Sequence, residues 1–308
     1  MTIQQLEYIK TVDKYGHFGK AAEACGVTQP TLSLMIKKLE EELDVRIFDR
    51  DSYPIVATEA GRKIIDKAGI VLYNLNQIPE ITKSEKELAS GEVKIAMTST
   101  IAPVLIPGMF KYIVKKYPSV QPIIQERFSE TIIEMLKKAE IDMGILVSSV
   151  NDPELLEIPL YQEKFLAYVS PEHPLYKKEA LDSTKILDHP IWIIKNGLRR
   201  FERSMLGEGE SFDYDKMYEG GRAGTLIYIV NELGGLTIIP ELHKNLILFS
   251  LQQNLRPIVN PVVSRNVSLY IRKDYIHEQL LNIIVESIRN TIPMENIDDV
   301  IRRGRLVL

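Results

Sequence analysis

Residues 21–43, AAEACGVTQPTLSLMIKKLEEEL, constrain this chain more than any other stretch. A small Ala-rich segment runs into a Cys-Gly-Val corner, and a polar Thr-Gln-Pro-Thr entry then opens a strongly periodic helix. Leu32, Met35, Ile36, Leu39 and Leu43 keep the 3.6-residue period and face a core. Such a helix needs only one N-cap, which Thr28 supplies, and Pro30 sits in the first turn, where a missing N–H costs nothing. Gln29, Thr31 and Ser33 are left over on the outer face with Lys37 and Lys38. Side chains of this size and chemistry, at the start of the second helix of a helix-turn-helix, reach base edges and phosphates in a major groove.

The flanks complete the module. Leu6, Ile9 and Val12, with Tyr8 beside them, predict a helix over 3–15 stopped by Gly16. Residues 19–25 read as a short second helix and 29–43 as the third. DVRIFDRDSYPIVATEAG alternates apolar and polar residues around Ser52-Tyr53-Pro54, the pattern of a small hairpin. Three helices and a hairpin make a winged helix-turn-helix over 1–58. A long helix then starts after Thr58, with Ile64, Ala68, Val71, Leu75 and Ile78 spaced like a coiled-coil seam. Nothing in its own chain is expected to cover that seam, so 59–90 reads as a linker and dimerisation helix ending near Pro79.

Beyond Gly91 the periodicity changes. EVKIAMTS, VQPIIQER and MGILVS read as strands, separated by helices over 103–118 and 130–142. A second run follows, with KFLAYVS, HPIWIIKN, DKMYEG and GLTIIP as strands and helices at 199–206 and 224–233; VSLYIRK and a helix over 275–292 close the chain. Alternating strand and helix implies a parallel α/β sheet with binding at the carboxyl ends of its strands. The expected α/β domain, 91–293, has one lobe over 91–162 and 268–293 and another over 163–267, with crossings near 161–163 and 266–268. Residues 294–308, with Arg302, Arg303 and Arg305, read as a solvated tail. The fold class is thus α/β with an all-α-rich N-terminal domain, and the domain over 91–293 is a two-lobed periplasmic-binding-protein-like clamp.

Composition bounds the function. With 45% hydrophobic and 26% charged residues the chain is an ordinary globular one. The net charge of −4 excludes a protein coated in basic patches, and residues 1–60 themselves hold more acids than bases. Positive charge for DNA must therefore be local, from Lys37, Lys38, Arg46 and Arg50. The single cysteine, Cys25, excludes an intrachain disulfide and a multi-Cys metal site, and beside Ala21, Ala22 and Ala24 it reads as a core filler. No export segment or membrane span is visible, so the expectation is a cytoplasmic protein without membrane partners. The histidines are scattered, and no HExxH, GxSxG or GxGxxG stands in the right context. Neither an enzyme nor a cofactor or metal is expected. A two-lobed clamp alone would equally suit a solute-binding receptor or an enzyme; the helix-turn-helix opposes both.

The stretch LEYIKTVDKYGHFGKAAEACGVTQPTLSLMIKKLEEELDVRIFDR, followed by TEAG, resembles the DNA-binding domain of LysR-type transcriptional regulators, and the similarity in pattern runs through the whole chain. LEYI, ACGVTQPTLS and KLEEELDV most resemble the OxyR, peroxide-sensing branch. The resemblance implies a DNA-facing set of Thr28, Gln29, Pro30, Thr31, Ser33, Lys37 and Arg50, the last reaching the backbone from the wing. It also implies homodimers through the 58–78 helix and homotetramers through the regulatory domains. Its implied partners are double-stranded DNA with an imperfect palindromic operator, a small-molecule effector and RNA polymerase.

The sensor departs from that branch. Along IIKNGLRRFERSMLGEGE, Leu198 and Arg199 stand where the family has His and the reactive Cys, and Glu208 stands at the second Cys. A thiolate and a resolving thiol are both needed for disulfide sensing, and neither is present. Arg199 and Glu208 invite another reading, opposite charges mimicking one redox state. The effector cleft is expected to use Ser99, Thr100, Ser129, Arg199, Arg200 and Thr225. Thr225 follows Gly220-Gly221-Arg222 at a helix start, which with an arginine from the second lobe would suit a small carboxylate.

Overall fold

The computed structural model describes residues 1–79, 90–147, 150–186, 188–194, 217–218 and 223–302. Two compact units make up the chain, Met1–Leu88 with Glu134–Ile141, and Ala89–Ile133 with Asp142–Leu308.

The first unit starts with α1 (Ile3–Tyr15), α2 (Phe18–Ala24) and α3 (Gln29–Glu42). Thr2 and Gln5 form a capping box on α1, and the Gln5 Nε2 also donates to the Met35 carbonyl at 3.1 Å, tying α1 to α3. Gly16 ends α1 in the left-handed region, φ 58°, which a glycine adopts without strain. Its carbonyl accepts from Ile55 N–H at 2.9 Å, so the same corner anchors the hairpin of β1 (Phe48–Asp49) and β2 (Val56–Ala57). Leu6, Ile9, Val12, Ala21, Leu32, Ile36, Leu39, Ile47 and Phe48 form one buried cluster, with Cys25 packed half-buried against it.

Helix α4 (Glu59–Gln77) corrects an expectation. Its first turns are not uncovered: Ile65 and Ala68 are buried in this cluster, and Ile64 and Leu72 pack against it. Val71 and Ile78 remain exposed, so only the C-terminal half of the seam is open to a partner. The helix faces its own core because Thr58 caps it while holding the wing: its hydroxyl accepts from Gly61 N–H at 2.9 Å and donates to the Arg46 carbonyl at 2.7 Å.

From Gly91 onward, β3 (Gly91–Met97) is followed by α5 (Ala102–Lys116), β4 (Val120–Glu126), α6 (Ser129–Lys137), which is shared between the units, and β5 (Met143–Leu146). β3 pairs in parallel with β4 and β5, as the alternation predicts. The sheet as a whole is mixed rather than parallel. The long strand β6 (Leu155–Val169) lies antiparallel to β12 (Ser264–Arg272), which is antiparallel to β5 as well. Strands β6 and β12 pass between the lobes, β6 as one continuous run. Pro159 lies at an irregularity where Tyr161 faces Val267 and Pro159 faces Ser268; a bulge suits a residue with no N–H to give the ladder.

Past the bulge β6 enters the second lobe. There it runs between β10 (Leu236–Pro240) and β11 (Leu255–Val259), both antiparallel to it; β8 (Ile191–Ile194) extends the sheet parallel to β10, β9 (Met217–Tyr218) lies parallel to β8, and the short β7 (Leu181–Asp182) parallel to β11. Ala167, Val169, Ile191 and Leu236 are buried in one cluster of this lobe, Tyr168, Val230 and Ile239 in another. Helix α7 (Ser183–Ile186) is short, and α8 (Ala223–Leu233) presents Val230 to the second cluster. A 3-10 segment, Glu241–Leu246, follows β10. Back in the first lobe, α9 (Glu278–Arg289) packs on α5, where Lys116 pairs with Glu286 at 2.7 Å.

Of the arginines expected to be solvated, Arg302 is exposed, while the segment before it is tied down. Asp298 N–H donates to the Leu160 carbonyl and Gln162 N–H to the Asn296 carbonyl, with Ile297 buried between them. The chain there covers the bulge of β6, satisfying backbone groups the broken ladder leaves over. Arg303 and Arg305 lie outside the described residues.

Candidate functional site

Two sites stand out, one in each unit. In the first, Gly26, at φ +66°, turns the chain from α2 into α3, and Thr28 caps α3 by accepting from Thr31 N–H. The two threonine hydroxyls also bond each other at 2.8 Å. Gln29, Pro30 and Thr31 are exposed and Ser33 is half-buried, all on the outer side of a helix whose inner side is Leu32, Ile36 and Leu39. Lys37 is exposed and stands 3.6 Å from Glu41, one turn along, a weak pair that leaves it available to a phosphate.

Arg50 sits where β1 enters the wing. It donates to Glu40 Oε2 at 2.8 Å and lies over the Phe18 ring at 5.4 Å. Glu40 is itself nearly buried; its other oxygen accepts from Ile47 N–H at 2.8 Å, so one carboxylate fastens the wing to α3 and aims Arg50. The tip residue Tyr53 is exposed beyond it.

In the second unit a cavity of about 490 Å³ lies between α5 and α8. Pro103 and Ile106 of α5 and Ile227 of α8 give it apolar walls, and Ser99, Glu126, Thr225 and His243 its polar ones. Of the residues expected in an effector cleft, Ser99 and Thr225 meet here. Ser129 is buried at the start of α6 and is not on the described wall. Thr100 has another use: its hydroxyl accepts from Arg265 at 2.9 Å, and its carbonyl from Arg265 at 3.2 Å and from His243 Nε2 at 2.8 Å. Arg199, Arg200 and Glu208 lie outside the described residues, as does Gly220-Gly221-Arg222.

Glu163, Arg265 and His243 were not singled out by the sequence. Glu163 is fully buried and Arg265 nearly so, and they face each other across β6 and β12 at 2.6 Å. The one pointer was an acid on the inward face of the strand LYQEKF, between Tyr161 and Phe165. Its partner is 102 positions away, beyond the reach of any local pattern.

Burial lowers the pKa of His243 below its ordinary value near 6.5, and the nearby Arg265 pushes the same way, against the Thr100 carbonyl and Glu163. Folding thus favours the neutral ring, and the unfolded chain binds the proton more readily. Its contribution to stability is complete above about pH 6.5, declines as the pH falls below that, and is gone once the folded pKa is passed. The slope is at most about 1.4 kcal/mol per pH unit for one histidine. His173 shifts in the same direction through its own burial and His189. Thermal unfolding at pH 7.5 and 5.5 should show a fall that His243→Gln reduces; an undiminished fall in the variant would contradict this.

Residues 3–62 match the model of the bacterial regulatory helix-turn-helix protein, lysR family, and residues 86–292 match that of the LysR substrate binding domain. The chain belongs to the LysR family. It is a DNA-binding transcriptional regulator with an effector-binding domain, and it is OxyR-like. The DNA-binding transcriptional dual regulator OxyR of Escherichia coli K12 is 28% identical over 244 residues, 79% of this chain and 80% of that one. The hydrogen peroxide-inducible genes activator of Haemophilus influenzae is 26% identical over 288 residues, 88% and 91% of the two chains. A full-length OxyR variant from Pseudomonas aeruginosa superposes with a TM-score of 0.83 at 26% identity, covering 97% of this LysR-family chain and 98% of the other. The family is one of regulators, not enzymes. No described helix is long and apolar enough to cross a membrane.

Proposed function

We propose that this regulator reads an imperfect palindromic operator with α3, Gln29, Thr31 and Ser33 at or near base edges and Lys37 and Arg50 on phosphates. The observation that carries the reading is the outer face of α3, where the short polar side chains of its first turn stand exposed over a fully buried inner stripe. Thr28 and Pro30 start the helix and set its entry angle. Glu40 fixes Arg50 beside them, so the phosphate clamp is preorganised. A second copy covers Val71 and Ile78 of α4, and the resulting two-fold symmetry matches the operator; tetramers form through the regulatory domains. RNA polymerase is the partner through which occupancy changes transcription, and activation is the direction that the names of the peroxide-inducible relatives suggest.

The cavity takes a small effector with an apolar body and polar groups that meet Ser99, Thr225 and Glu126. Its volume falls in the range of small-molecule sites. Peroxide is not sensed by an intrachain disulfide, because the chain holds one cysteine. The protein acts in the cytoplasm.

Site selection from random DNA tests the interface. Gln29→Ala should relax base preference at one or two positions of each half-site. Lys37→Ala should weaken all sites alike and lower the salt slope by about 1. Unchanged preference in the first and an unchanged slope in the second would remove α3 from the interface.

A further inference from the structure

A set of buried polar contacts joins three distant segments at the point where the lobes meet. Arg265 on β12 makes four hydrogen bonds: from Nε at 2.8 Å and one terminal nitrogen at 2.6 Å to Glu163 Oε1, and from its two terminal nitrogens to the Thr100 hydroxyl and carbonyl. Glu163 Oε2 accepts from Leu242 N–H at 3.2 Å, and the next residue, His243, donates to the same Thr100 carbonyl. Thr100 belongs to the loop after β3 in the first lobe, and Leu242 and His243 to the 3-10 segment after β10 in the second. Glu163 and Arg265 sit on the two strands that pass between the lobes. The lobes are thus laced together at their hinge by charge-assisted bonds rather than by apolar packing alone.

We propose that Glu163, Arg265 and His243 form a clasp that sets the closure of the two lobes, acting as positioning residues through which the cavity communicates with the hinge. Three features support a switchable element over a passive filler. A buried ion pair gives little net stability compared with apolar residues of the same size, so its worth lies in holding one specific geometry. The clasp adjoins the cavity directly: Ser99 precedes Thr100, and His243 is itself on the wall. And the hydroxyls of Tyr161 and Thr98, both buried near the crossing, have no hydrogen-bond partner among the described residues, so an arrangement that satisfies them competes with the clasped one. An occupant that draws on His243 or moves the Ser99-Thr100 loop takes two acceptors from Arg265 and so favours opening. The link to an occupant rests on the cavity being the effector site; the clasp itself does not.

Amide hydrogen exchange on the full-length, ligand-free protein tests it. Thr100→Val removes one hydroxyl from the first lobe, and His243→Leu removes one donor from the second. On the proposal each loosens the opposite lobe as well as its own: Thr100→Val raises exchange in 241–247, and His243→Leu raises it in 98–102, about tenfold in each case. Strands 155–160 and 267–272 keep their protection. His243→Gln, which retains an N–H donor, restores the protection of 98–102. Exchange that rises only around the substituted residue, or rises uniformly through the regulatory sheet, overturns the proposal. The double variant Glu163→Leu with Arg265→Met loosens both segments together while still melting cooperatively; protected segments in that variant also overturn it. If the double variant does not melt cooperatively, the two single variants decide. Because no ligand is used, a failed search for an effector leaves this outcome unaffected.

Discussion

Replacing Gly61 by alanine should unfold the DNA-binding unit at temperatures where the wild-type unit is intact. Gly61 lies in the first turn of α4, and a Cβ placed there would stand 1.9 Å from the Ile47 carbonyl oxygen and 2.7 Å from its carbon. Both are backbone atoms of the segment that leads into the wing, so no side chain can swing aside. The Ile47 carbonyl is also fixed, since it accepts Thr58 N–H at 3.0 Å. Relief requires α4 to tilt away from the cluster that holds Ile65 and Ala68, breaking the Thr58 cap that joins helix and wing. Overpacking of this severity costs about 3 kcal/mol or more. For a unit of this size that lowers its melting transition by more than about 10 °C. Gly224, in α8, is the control: nothing lies within 4 Å of its Cβ position, so alanine there should leave melting unchanged or raise it slightly. Circular dichroism of both variants checks this, and a Gly61→Ala midpoint within 2 °C of wild type, on the order of 0.3 kcal/mol, would contradict the packing described.

Glu163→Ala should destabilise the regulatory unit by about 3–5 kcal/mol, because it leaves Arg265 buried with a positive charge and half of its hydrogen bonds gone. The Leu242 N–H loses its acceptor in the same step. Replacing both charges, as Glu163→Leu with Arg265→Met, should cost far less, since burial of two apolar side chains makes up for the lost pair. The contrast between single and double variants is the diagnostic. A single variant as stable as wild type in urea unfolding would mean that Arg265 finds water on losing its partner, and that the hinge is wetter than its burial indicates.

Much of this was legible in the sequence because it is local. The starts of α3 and α4 are written in Thr28 and Thr58, each a threonine cap ahead of an apolar period. The strands β3, β4 and β5 are short apolar runs bounded by helices and needed only their own residues to be seen. What the sequence hid is set by partners far along the chain. β6 reads as a strand only from Lys164 onward, since Pro159 and the acids at 157 and 163 interrupt its first half; the ladder with β12 and the cover from 296–298 stabilise that half. Helix α4 carries two overlapping apolar stripes, and only packing on α1 decides that Ile65 and Ala68 turn inward. Ser99 and Thr225 were found by their place after a strand and at the start of a helix. Thr100 shares that placement, but Arg265 claims it, and Arg265 carries no local sign of its role.

In this OxyR-like DNA-binding regulator, operator binding is expected not to depend on a thiol switch, the single Cys25 included. Footprinting of the purified full-length protein on the DNA upstream of its own gene, with and without hydrogen peroxide, tests it most directly. The expected result is an extended protected tract, arranged as paired half-sites, with boundaries that peroxide leaves unchanged. A tract that shortens or shifts on adding peroxide and returns with a thiol reductant would contradict it, assigning to Cys25 a sensing role that its packed, half-buried place beside α2 does not suggest.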